Sequence, residues 1–67
     1  MEWEKKRIKQ LRRAMRLTQK GFGERLGVTM NAVESWEQGL RRPDLYNQRR
    51  LDDMKVLREL SKRRNHG

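Results

Sequence analysis

The side chains best suited to chemistry lie between positions 12 and 43, in the run RRAMRLTQKGFGERLGVTMNAVESWEQGLRRP. They are hydrogen-bonding groups and cations rather than acids, bases or nucleophiles. Thr18-Gln19-Lys20 opens one expected helix, Thr29-Met30-Asn31 opens the next, and Arg41-Arg42-Pro43 forms a basic loop after it. At about 100° per residue, Asn31, Glu34, Ser35 and Gln38 fall on one side of the segment 30–38, and Val33, Trp36 and Glu37 fall on the other. A short helix with one polar face, entered through a tight glycine turn and followed by cations, has the layout of an element laid in the DNA major groove.

Catalysis finds little material here. The chain has no Cys, which removes thiol chemistry and any disulfide framework. Its one His, His66, stands in a polar tail with no second ligand beside it. Asp52-Asp53 reads as a pair of charges at a helix start, where carboxylates are favoured, rather than as a metal pair. No glycine loop is spaced to cradle a phosphate. The expectation is a protein that binds and does not catalyse, with no cofactor and no metal.

Composition points the same way. Lys and Arg number 18 against 9 Asp and Glu, for a net charge of +9 over 67 residues. That balance calls for a polyanionic partner, but does not by itself choose between nucleic acid, an acidic membrane surface and an acidic protein. Only 33% of the residues are hydrophobic, so the core is thin, and small domains of this kind often gain stability by association. No apolar run approaches the roughly 20 residues of a membrane span, and MEWEKKRIKQ has no apolar signal-peptide region. These features predict a cytoplasmic protein with no membrane partner.

The elements that must position the polar groups follow from spacing. Ile8, Leu11 and Met15 form one apolar stripe of a helix over 3–15, and Trp3 is placed to cap its start. Thr18 is the expected N-cap of a second helix, with Phe22 and Leu26 on its inner face and Gly27 at its end. Gly21 has no evident reason in the sequence, whereas Gly23 reads as a small residue that lets the third helix approach. Val28 should point into the core. Thr29 is the next N-cap, Trp36 is read as core rather than as a stacking residue, and Gly39 stops the third helix. Beyond Pro43, Asp44 starts a segment whose apolar side is Leu51, Met54 and Leu57, with Val56 and Leu60 as further candidates. That segment is open to two readings, one long helix to about 62 or two short ones broken near 52–53. The expected fold is all-α, a single domain over 1–67 of four or five helices, with a helix-turn-helix at about 18–38 and a disordered tail from about 62.

Leu11, Leu17-Thr18-Gln19, Leu26-Gly27-Val28-Thr29, Val33, Trp36-Glu37, Gly39 and Arg41-Arg42-Pro43 stand in register across two turns and three helices. In this the chain resembles the Cro/XRE-type helix-turn-helix family, which includes phage repressors, over about residues 8–43. The resemblance implies a bundle like the DNA-binding domain of lambda repressor, with residues 18–26 as positioning helix and 29–38 as recognition helix. It implies phosphate contacts from Thr18, Gln19, Lys20, Arg41 and Arg42. Base contacts would come from Thr29, Met30, Asn31 and Ser35; an Asn amide can pair bidentately with adenine, and a Met can meet a thymine methyl group. Arg12 and Glu37 match a structural salt bridge of the family. The activity implied is repression by a homodimer on an inverted-repeat operator, in a bacterial cytoplasm or nucleoid and from a bacterial or phage gene. An alternative within the family is an antitoxin-type protein whose C-terminal helix also holds a partner such as a toxin.

Overall fold

The computed structural model describes residues 3–64, with side chains through Ser61. Four helices follow in order: α1 Lys5–Ala14, α2 Gln19–Leu26, α3 Met30–Gln38 and α4 Leu45–Arg64. No strand occurs among the described residues.

The first three helices end in the same way. A left-handed residue follows each: Gly27 (φ 78°) and Gly39 (φ 79°) come directly after α2 and α3, and Arg16 (φ 57°) comes one residue further on, after the right-handed Met15. In each case that residue's N–H reaches back three positions and the following N–H reaches back five. The bonds are Arg16 to Arg13 and Leu17 to Arg12, then Gly27 to Glu24 and Val28 to Gly23, then Gly39 to Trp36 and Leu40 to Ser35. Orphan carbonyls at three helix ends are satisfied by this one motif. Gly27 adopts the geometry without the clash a Cβ would bring, whereas Arg16 carries that clash. Gly23 serves a different need: a Cβ there would lie 2.8 Å from the Val28 carbonyl oxygen, so its hydrogen lets the turn close. The expected small residue is therefore confirmed, with the approaching backbone being that of the turn itself.

The core joins Trp3, Ile8, Leu11, Phe22, Leu26, Val33, Trp36 and Leu51, with Met15, Leu17, Val28, Ala32 and Met54 packed against it. Each helix contributes through its apolar stripe, and Val28 points inward as its place after the turn requires. Trp3 goes deeper than a cap on α1. It is buried, and its indole N–H donates to Asp52 Oδ1 at 2.6 Å, while the Arg7 guanidinium lies 5.4 Å from the ring centroid.

The segment after Pro43 is one helix of 20 residues. Asp44 caps it, its Oδ1 accepting from the Asn47 N–H at 2.9 Å. Asp52 and Asp53 stand inside this helix and not at a helix start, because no Gly or Pro between 44 and 64 breaks it. The expected apolar side is only half used. Leu51 is buried and Met54 partly so, but Leu57 is 64% exposed and Val56 and Leu60 are about half exposed. At 1.5 Å per residue α4 is about 30 Å long, and its C-terminal half outruns the three shorter helices that could cover it. The helical backbone reaches Arg64; the remainder of the expected tail, 65–67 with His66, lies outside the described residues.

Candidate nucleic-acid interface

Two threonine hydroxyls set the starts of the paired helices. Thr18 Oγ1 accepts from the Gly21 N–H at 3.0 Å, and Thr29 Oγ1 accepts from the Ala32 N–H at 3.1 Å. Each satisfies one of the free donors of a first turn, and both side chains stay exposed. The hydroxyl hydrogen of each remains available, since a hydroxyl can accept and donate at once.

Behind these starts lies a charged cluster shared by three helices. Arg12 of α1 donates through Nε to Glu37 Oε2 at 2.6 Å and through Nη2 to Glu37 Oε1 at 2.9 Å. Its Nη1 donates to the Leu17 carbonyl at 3.1 Å. Gln19 Nε2 donates to the same Glu37 Oε1 at 3.2 Å. The Glu37 side chain is 2% exposed and that of Arg12 15%, so the two-pronged pair is largely desolvated. Burial pushes the Glu37 carboxyl upward, but the bonds from Arg12 and Gln19, together with the charges of Arg12 and Lys9, outweigh it and leave the group below its ordinary value. The bond to Glu37 raises the Arg12 pKa, burial opposes the rise and the carboxylate charge adds to it. The pair locks the α1–α2 connection to the end of α3. It also orients Gln19, whose amide nitrogen carries two hydrogens, only one of which is used in the bond to Glu37.

The faces of α3 divide as its 3.6-residue period requires. Val33, Trp36 and Glu37 are buried. Thr29, Asn31, Glu34 and Gln38 are exposed, Met30 is 46% exposed and Ser35 is half-buried. Asn31 and Ser35, four residues apart, share one side of the helix. The Ser35 carbonyl accepts from both Leu40 (2.9 Å) and Arg41 (3.3 Å), which pins the start of the basic loop to the last turn of α3. Arg41 and Arg42 are exposed in that loop, and Lys20 is exposed on α2. The outer face of α3 itself carries no cation and one carboxylate, Glu34. Exposed cations flank this face in sequence, Lys20 on one side and Arg41 and Arg42 on the other.

The spacing of residues anticipated this division of α3 and both threonine caps. It did not indicate that Gln19 is tied to Glu37, because the contact joins residues 18 positions apart whose individual types look like surface polarity. Among the described residues no three of His, Cys, Asp and Glu come together as a metal site would need, and no helix is long and apolar enough to cross a membrane.

A helix-turn-helix family model matches residues 8–51, a stretch that takes in α1, α2, α3 and the first part of α4. No curated protein and no solved structure matches the chain. With its paired helices, capped starts and glycine turn inside a match that covers most of its length, the chain belongs to the Cro/C1-type helix-turn-helix family of DNA-binding transcription regulators.

Proposed function

We propose that the protein is a repressor that binds an inverted-repeat operator as a homodimer. The observation that carries this reading is the partition of α3. Its buried side is consumed by the core and by Glu37, and its open side, Thr29, Met30, Asn31 and Ser35, lies between the cations of α2 and of the loop. In this account Lys20, Arg41 and Arg42, with Thr18 and Gln19, bind phosphates and set the register, and the α3 face selects the bases. A bound dimer blocks a promoter by occupying it.

Two recognition helices of a symmetric dimer enter successive major grooves about 34 Å apart. The exposed Val56, Leu57 and Leu60 of α4 supply an apolar strip through which a second copy would pair. Selection of binding sites from random duplex DNA tests the proposal. The expected product is a palindromic motif with half-sites about one helical turn apart; a non-palindromic product or none would contradict the dimer.

One observation favours a second reading, the antitoxin-type one. A groove along α4 is lined by the apolar Ala14, Met15, Met54 and Leu57 and by three cations, Arg25, Arg50 and Arg58, against one carboxylate, Asp53. That charge suits an acidic protein partner such as a toxin better than a second copy of a basic chain. Sedimentation of the pure protein separates the two, since the first predicts a dimer and the second a monomer.

A further inference from the structure

At the far end of α3 from its capped start, the chain forms a notch lined by Glu4, Lys5, Trp36, Arg41, Arg42 and Pro43. Its cations come from two places 36 residues or more apart in sequence. Lys5 is the first residue of α1, and Arg41 and Arg42 are the loop after α3. The side chain of Lys5 lies across Gly39: a Cβ at Gly39 would stand 3.2 Å from Lys5 Cδ and 3.8 Å from Nζ. Lys5 thus packs over the glycine that ends α3 and begins the basic loop.

We propose that Lys5 is a further phosphodiester contact, acting with Arg41 and Arg42 to hold one stretch of duplex backbone beside the end of α3. The inference rests on the DNA-binding reading and adds to it a residue from outside the matched segment 8–51. Among the described residues none of these three side chains has a hydrogen bond or ion pair. Three unneutralised cations gathered in one notch repel each other in the free protein, and a polyanion relieves that repulsion. The position is also an unfavourable one for the fold of α1. Its first turn holds no acidic residue and instead opens with Lys5 and Lys6, at the positive end of the helix dipole. Glu4 is the one carboxylate lining the notch, and it opposes an anion there.

The test uses the full chain and a random-sequence duplex, with affinity followed between 50 and 200 mM salt. Each phosphate neutralised on B-DNA contributes about 0.9 to the slope of log affinity against log salt. Lys5→Gln should lower the slope by about that amount, Lys5→Arg should restore it, and Glu4→Gln should tighten binding. Lys6→Gln removes the same charge from an exposed site outside the notch and should leave the slope unchanged. A thermal melt of each variant shows that a folded protein is being compared. Equal losses in Lys5→Gln and Lys6→Gln would overturn the inference, because charge at a distance would then explain both. A slope reduced by Arg41→Gln and unaltered by Lys5→Gln would overturn Lys5 alone, whereas a wild-type protein without salt-dependent duplex binding would overturn the DNA reading with it.

Discussion

Trp3 and Asp52, 49 positions apart, are joined by an indole N–H that donates to the carboxylate at 2.6 Å. The bond fastens the segment before α1 to the middle of α4, the helix with the fewest other ties to the body. Removing the acceptor leaves a buried indole donor unsatisfied, at a cost of about 1–3 kcal/mol. Asp52→Ala should accordingly lower the melting temperature, by about 4–8 °C per kcal/mol in a chain of this size, whereas Asp53→Ala should leave it nearly unchanged. Equal melting temperatures for the two variants would remove this bond from the account.

The Arg12–Glu37 pair makes a larger prediction. Breaking one side of a buried pair costs about 3–5 kcal/mol, so Glu37→Ala should unfold a large fraction of the protein near its normal working temperature, as a urea titration would show. The pH dependence has a definite sign. Glu37 is held below its ordinary pKa in the fold, so at acid pH the unfolded chain binds the proton more readily. The contribution is complete above the ordinary carboxylate range and is lost as pH falls through the lowered folded value. Wild-type stability should fall more steeply over that acid interval than that of Glu37→Gln, and parallel curves would contradict the assignment.

Arg16 holds the left-handed position that Gly27 and Gly39 hold in the other two turns. A non-glycine residue there costs roughly 1–2 kcal/mol. Arg16→Gly should recover most of that, less the extra entropy of a glycine in the unfolded chain, and should raise the melting temperature by several degrees. Gly23→Ala should do the opposite, since its new Cβ would meet the Val28 carbonyl oxygen at 2.8 Å.

The exposed strip on α4 gives a prediction about assembly. Leu57 is 64% exposed, so Leu57→Glu should change the stability of the folded chain by about 0.5 kcal/mol or less. If a second copy covers the strip, the same substitution should convert a dimer to a monomer in sedimentation and abolish cooperative binding to a two-site operator. A dimer unaffected by Leu57→Glu would place the interface elsewhere.

What could be read from the sequence was whatever local spacing encodes. Gly27 and Gly39 marked two turns because glycine reaches positive φ cheaply, and the period of α3 assigned Val33, Trp36 and Glu37 to the inside before any fold was known. The Arg12–Glu37 pair came from family resemblance, since nothing local joins residues 25 apart. What escaped was set by tertiary context. Arg16, one residue past the expected helix over 3–15, turns left-handed with no glycine to mark the turn. Trp3 finds its partner in α4. Gln19 shares Glu37 with Arg12. The apolar residues of α4 beyond Met54 carry a core-like pattern, yet the shorter helices end before they can cover them.

If Asn31 reads bases while Arg41 holds backbone, Asn31→Ala should separate a selected operator from random duplex DNA at one salt concentration. The expected loss is about 1–3 kcal/mol on the operator, the worth of one good base pairing, with unchanged affinity for random DNA. Arg41→Ala measured alongside should weaken both and flatten the salt slope. Equal losses by Asn31→Ala on the two DNAs would contradict the base-reading role of the α3 face.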